Sequence, residues 1–179
     1  MVNPTGIRII SLTQTYASKR ANDILALEHN WIEIGDEPWS VNNLMHELPL
    51  KWELSHVALH EGNIIGYQIG CLRDVRHGLP TYLINTVNGR VMQPQLKKLV
   101  VDKESRGLGV GRKLLRPFLE KLLERDYDRV FFRVRIDNPA VRFYDKLGFF
   151  PEKEIDRTCP DGVESYFYNI VINEVLQNV

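Results

Sequence analysis

The densest in-phase apolar pattern in the chain ends at Leu123. Leu114, Leu115, Phe118, Leu119, Leu122 and Leu123 share one helical face, and Arg112, Lys113, Arg116, Glu120, Lys121 and Glu124 lie largely outside it. The spacing predicts a long amphipathic helix. Pro117 falls near its middle, where it cannot donate to the carbonyl of Lys113, so a kink is expected, although the stripe stays in phase on both sides. Upstream, Leu96, Leu99, Val100 and Val101 mark a strand, residues 102–105 a polar break, and Arg106-Gly107-Leu108-Gly109-Val110-Gly111 a turn. Strand, glycine turn and helix thus follow one another without a gap.

The rest of the chain divides by the same rules. Residues 7–13 read as a strand, and residues 16–34 as one helix with Ala17, Ala21, Ile24, Leu25, Leu27 and Trp31 on a broad stripe. Gly35-Asp36-Glu37-Pro38 ends it, and Ser40 is a cap for a short helix through Leu44, Met45 and Leu48. Residues 52–60 and 63–72 read as two strands turning at 61–63. Residues 82–87 and 90–92 flank Asn88-Gly89, which predicts an extra hairpin or an extended central strand before Leu96. A strand over 129–136, a short helix over 139–147 ended by Gly148, and a closing pair over 152–158 and 165–172 about Pro160-Asp161-Gly162 complete the reading.

Composition narrows the function classes. With 179 residues and 44% hydrophobic content the chain can bury one core, and a single domain is expected. Lys plus Arg and Asp plus Glu stand at 23 each, so no global field recruits nucleic acid or an acidic membrane. Cys71 and Cys159 make neither a disulfide framework nor a zinc site. No apolar run reaches the roughly 20 residues of a membrane span, and the first residues carry no basic leader, so a cytoplasmic protein without membrane or nucleic-acid partners is expected. His56 and His60 are four apart on a strand, about 13 Å of rise, too far for one metal ion. His29 and Glu33 are two ligands without a third, so no metal is expected.

The glycine turn carries the chemistry. Unpaired N–H groups at a helix start, with the positive end of the dipole behind them, favour an anion; Gly109 and Gly111 let it approach, and Arg106, Arg112 and Lys113 add charge-assisted donors. Gly107, Gly109 and Gly111 alternate, so no G-x-G-x-x-G can be drawn, and no Gly-Lys-Ser/Thr follows for a nucleoside triphosphate. What matches is R-x-x-G-x-G, Arg106 to Gly111, after a strand ending L-V-V-D; this resembles the pyrophosphate loop of the GNAT superfamily of N-acetyltransferases. Downstream, Asp137-Asn138-Pro139 followed by Ala140-Val141-Arg142-Phe143-Tyr144-Asp145-Lys146-Leu147-Gly148-Phe149 is similar to that family's N-x-x-A-x-x-x-Y-x-x-L-G-F signature.

The resemblance implies an α/β fold, a mixed and mostly antiparallel central sheet flanked by helices, over about residues 5–174. It implies acetyl-CoA as donor and an amine as acceptor. The pyrophosphate would sit on the amides of Gly107, Leu108, Gly109, Val110, Gly111 and Arg112, beside Arg106, while the pantetheine arm would pair like an added strand with the backbone of Leu99, Val100 and Val101. Tyr144 stands at the position of the family's usual general acid, which protonates the departing thiolate; a phenol stays protonated at neutral pH and can donate in the transition state. Its plain alternative is packing beside Phe143, Phe149 and Phe150. Asn138 would hold the cofactor, with a helix cap before Pro139 as the structural alternative.

The first half of the signature departs from the family form. Counting back from Ala140, the asparagine slot falls on Asp137, one residue before Asn138. Pro38-Trp39-Ser40 resembles a stretch of ribosomal-protein alanine N-acetyltransferases, a branch with a glutamate in an L-E-V-R run; this chain has Phe132-Arg133-Val134-Arg135, with Arg133 in the carboxylate's place. The resemblance therefore implies acetyl transfer to a primary amine of a small molecule or protein by direct attack, the small amine favoured. The alternatives are a protein N-terminal α-amino acetyltransferase and an acyl-CoA-binding regulatory module without turnover. The general base is not identified; Glu33, Asp36 and Glu37 are candidates. A homodimer is expected by resemblance alone.

Overall fold

The chain is built on one long strand, β5 (Arg90–Val101), which the apolar run before the glycine turn supplies. In this computed structural model the described residues are 6–28, 38–74, 85–87, 90–152, 155–156 and 164–179. Before β5 come β1 (Arg8–Ser11), α1 (Gln14–Lys19), α2 (Ala21–Ala26), α3 (Val41–Met45), β2 (His56–His60), β3 (Asn63–Asp74) and β4 (Asn85–Val87). After it come α4 (Val110–Leu123), β6 (Arg129–Arg135), α5 (Ala140–Lys146), β7 (Ile155–Asp156), β8 (Ser165–Val171) and α6 (Ile172–Val175). The strands form one sheet in the order β1-β2-β3-β5-β6-β8-β7, with β4 paired to β5. Every pairing is antiparallel except β5 with β6. The α/β architecture expected from the resemblance is the one observed.

The sheet has two covered faces. Leu115, Phe118, Leu119 and Leu122 of α4 bury against Leu54, Leu96, Val130 and Phe132, and Leu114 against Ala58 and Ile65, while Leu12, Ala17, Ile24 and Leu44 cover Val57, Tyr67 and Ile69 on the other side. Each buried Leu, Ile, Val or Phe among them contributes about 1.5–3 kcal/mol by leaving water. The helix approaches β3 closely because Gly66 and Gly70 stand beneath it: a methyl group on Gly70 would meet the Leu54 carbonyl at 2.8 Å and overlap the Phe118 ring.

Three segments differ from the sequence reading. The first helix breaks at Arg20 (φ −118°, ψ 20°) into α1 and α2, which periodicity cannot reveal because the apolar stripe stays in phase across the break. The short helix starts as read, with a capping box between Ser40 and Asn43, but stops at Met45. Residues 52–55, read as strand, instead follow a tight turn in which Leu50 takes φ 57° and the amides of Glu53 and Leu54 both donate to its carbonyl. The buried Lys51 amine fixes that turn, donating to the carbonyls of Leu44 at 2.5 Å and His46 at 2.7 Å. A lysine acting as the stop of a helix leaves no periodic trace. Helix α4 runs through Pro117 as one element, and both the extra hairpin strand β4 and the extended central strand are present. The turns at 88–89 and 160–162 and the candidates Glu33, Asp36 and Glu37 lie outside the described residues. Unforeseen from sequence, the last residues return to the core, where Ile172, Val175 and Val179 are buried.

Candidate active site

The two edges of β5 differ. Against β3 the register runs from Asp74↔Met92 to Gly66↔Val101, whereas the pairing with β6 described here is the single register Gln95↔Phe131. Beyond it β6 follows β8, from Arg129↔Val171 to Arg135↔Ser165. The strands part, and a cleft of about 260 Å³ opens between them, lined by Leu96, Leu99, Val100, Phe132, Val134, Asn138, Ala140 and Tyr144 among others. An unpaired strand edge presents backbone donors and acceptors to whatever enters. An extended chain carrying amides satisfies them.

The glycine turn lies at the end of that edge. Gly107 (φ 79°) and Gly109 (φ 78°) both take the left-handed conformation, with nothing within 4 Å of an added Cβ. Gly109 caps α4 without a side-chain hydrogen bond, and the first turn holds no acidic residue, so the amides of Val110, Gly111 and Arg112 have no acceptor within the helix and sit at the positive end of its dipole. Gly111 serves a different purpose: a Cβ there would meet the Phe143 ring at 2.9 Å, so its small size lets α5 close on α4. Arg106 braces the loop, its Nε donating to the Val101 carbonyl at 3.3 Å. Leu108 is half-buried beside Val110 and Val101. Arg112, Lys113, Arg116 and Lys146 line an open valley that leads away from Gly109.

Tyr144 lies beneath the parted strands. Its ring is 4.7 Å from Phe132, 5.2 Å from Phe143, 5.6 Å from Tyr168 and 6.0 Å from Phe149, so the packing read for Phe143 and Phe149 is present, whereas Phe150 is exposed; Tyr144 also lines the cleft. Burial first, and then the neighbouring Tyr168 phenol, push its pKa well above the ordinary value. The phenol is therefore neutral at any working pH. Gly148 (φ 75°) ends α5, and the amide of Phe149 returns to the Tyr144 carbonyl at 3.0 Å, which fixes the residue from its backbone side.

The structure distinguishes Asp137 from Asn138. The Asp137 carboxylate takes two hydrogen bonds from Arg135, at 3.0 and 2.8 Å, which hold its pKa below the usual range, and it points to solvent. Asn138 lines the cleft, while its Oδ1 accepts the Ala140 amide at 2.8 Å. The capping alternative is thus realised, and Nδ2 is the donor it can offer a ligand.

Sequence reasoning missed Glu28, which is 1% exposed at the opposite side of the cleft. Its carboxylate accepts from the Tyr67 hydroxyl, from Lys98 Nζ at 2.9 Å and from the Trp39 amide at 3.4 Å. Tyr67 is pushed well above the ordinary phenol value by burial first and by that carboxylate second. A signal was present. Ala17, Ala21, Ile24 and Glu28 fall in one helical phase, so a charged residue stands in an apolar stripe.

Cys71 is fully buried, and burial raises its thiol to about 11, so it stays protonated. The described residues hold no group of three or more side chains that could bind a metal ion, and no helix among them is long and apolar enough to cross a membrane.

A model of the acetyltransferase (GNAT) family matches residues 23–149. N-alpha-acetyltransferase 30 of Schizosaccharomyces pombe is 30% identical over 141 residues, spanning 76% of this chain and 84% of that protein. A probable spermine N(1)-acetyltransferase of Bacillus subtilis subsp. natto is 30% identical over 100 residues, 54% of this chain and 59% of that one. Among solved structures, the NatC complex bound to Gag peptide and CoA contains a chain that superposes with a TM-score of 0.69 at 18% identity, covering 92% of this chain and 98% of that one.

Proposed function

The chain belongs to the acetyltransferase (GNAT) family and is an acetyl-CoA-dependent N-acetyltransferase; we propose that the parted edge of β5 is where the transfer takes place. The observation that carries this is the coincidence of three features: an open strand edge, a glycine-capped helix start without acidic residues at its end, and a neutral phenol beneath it. The donor fits them. Its pyrophosphate would take the amides of residues 107–112 beside Arg106, its pantetheine amides the backbone of Leu99, Val100 and Val101, and Asn138 Nδ2 would hold the arm from the β6 side. Acetyl-CoA supplies an activated thioester.

The chain's own part is to orient, exclude water and move one proton. Tyr144 would donate to the sulfur as the carbon–sulfur bond breaks, while the amine nitrogen forms the new amide and gives up its proton to solvent, from which the phenolate recovers one. A dry cleft raises the pKa of a thiolate as well as that of the phenol, so a raised phenol still has a basic partner to protonate. Direct attack needs no protein nucleophile, which agrees with a Cys71 thiol held protonated.

The acceptor is a primary amine, and a small molecule is favoured over a protein N-terminus because Arg133 stands where the N-terminal branch has a carboxylate. Acetyl transfer to an N-terminal α-amino group is the second reading, supported by the identity to N-alpha-acetyltransferase 30. A catalytic domain over residues 5–174, a cytoplasmic setting and a homodimer belong to the same proposal; light scattering tests the last. The test of the function itself is release of coenzyme A thiol across small amines and N-terminal peptides, run beside Tyr144→Phe. Turnover that the substitution suppresses is the expected result, and turnover unaffected by it removes Tyr144 from the mechanism.

A further inference from the structure

The cleft has two mouths with different chemistry. The loop at Gly107–Gly109, α4 and Tyr144 belong to one face of the sheet, and α1 to α3 cover the other. If phosphates are held on the first face, the amine must approach from the second. That second face is built by the bulge of β5. Ile69 pairs with Lys98 and Gly70 with Leu96, so Lys97 is the extra residue, and the regular alternation of side chains is broken there. Lys98 reaches Glu28 at 2.9 Å and lies 5.3 Å over the Trp39 ring, on the α1–α3 face. Met92 and Leu96 bury into the α4 core, so by alternation the next residue, Lys97, lies on the opposite, α1–α3 side as well. On β6, Phe132 and Val134 bury into the α4 core, which by alternation turns Arg133 and Arg135 to the α1–α3 face.

The cleft lining thus carries four cations, Lys97, Lys98, Arg133 and Arg135, against one carboxylate, Glu28, among the described residues. Glu28 is already matched by Lys98. Arg133 and Arg135 have local partners, Arg135 the Asp137 carboxylate at 2.8 Å, and a guanidinium with five donors keeps some for a ligand. Lys97 is exposed and adds its charge at the rim. Low-dielectric walls focus such a field on whatever enters.

We propose that this acceptor mouth selects small amines that carry a carboxylate, with Lys97, Lys98 and Arg133 as the specificity-determining residues and Glu28 and Trp39 positioning Lys98. The inference rests on the acetyl-transfer reading and names its substrate class. An anionic acceptor gains attraction at the rim and a hydrogen-bonding partner inside, whereas a polyamine meets like charges and is rejected.

The test compares acceptors that differ in one group, 4-aminobutyrate with 4-aminobutyramide and aspartate with asparagine, with spermidine as the polycation. Acetyl transfer is read as kcat/KM for each, and binding to the coenzyme A-saturated protein is read by calorimetry. The expected result is at least a tenfold preference for each carboxylate over its amide, shrinking as salt is raised, and a Lys97→Glu/Arg133→Glu protein in which the preference disappears or reverses toward spermidine. Equal or better use of the amides or of spermidine by the unaltered protein, in turnover or in binding, overturns the inference while leaving acetyl transfer intact. Thiol release from no amine at all, with the carboxylates still binding preferentially, would instead count against the acetyl-transfer reading and support the charge selection.

Discussion

One edge of β5 is closed and the other open, and in the proposed reading the contrast separates what holds this protein together from what lets it act. On the β3 side the strand is paired along its length, and glycines at 66 and 70 let α4 press onto the paired strands. On the β6 side a single register holds the strands before they part. Substitutions at the closed edge should change stability and leave the chemistry alone; those at the open edge should do the reverse.

The largest effect expected is at the open edge. Tyr144→Phe keeps the ring contacts with Phe132 and Phe149 and removes only the hydroxyl that carries the proton, so kcat should fall by about 10²–10³-fold with coenzyme A affinity unchanged. Steady-state kinetics beside a binding isotherm checks both halves. Gly70→Ala is the counterpart at the closed edge: the added methyl overlaps Phe118 and the Leu54 carbonyl, and the loss should be about 2 kcal/mol in denaturant unfolding, with KM for acetyl-CoA unmoved in the surviving folded protein. A smaller and mixed effect is expected where the open edge meets the loop. Gly109→Ala forces a left-handed conformation on a residue with a Cβ, a strain of about 1–2 kcal/mol, and should raise KM for acetyl-CoA about fivefold through displaced amides with kcat nearly intact.

The smallest effect concerns pH. Tyr67, Tyr144 and Tyr168 all hold their protons above the ordinary phenol value, Tyr168 to about 12 through burial, Asp145 and Tyr166. Between pH 10 and 12 the unfolded chain releases these protons while the folded chain keeps them, so stability must fall as pH rises through that window. Thermal melts from pH 9 to 11 should show the decline, and Tyr168→Phe should make it shallower.

The parts of this division that were legible in the sequence are those set by local chemistry. The alternating glycines announced the loop and the leucine stripe announced α4, whereas Tyr144 was singled out only through the resemblance of residues 137–149 to the family signature. The cleft was not legible, because parting strands leave no periodic mark: β5 and β6 read alike whether they pair along their length or separate. The same limit hid Gly111 as room for Phe143, which is distant in sequence, and Lys51 as a helix stop, whose nearby carbonyl acceptors at Leu44 and His46 bear no periodic relation to it. Glu28 is the intermediate case, visible as a charge in an apolar phase but given its meaning only by Lys98, Tyr67 and Trp39.

Residue-resolved amide hydrogen exchange with and without coenzyme A tests the open edge most directly. Slowed exchange at the β5 amides between Leu96 and Val101 that face β6, together with the amides of residues 107–112, is the result expected if the ligand arm completes the sheet there. Protection at the loop with no change along β5 would contradict it, leaving the phosphate site in place and the strand edge without its proposed role.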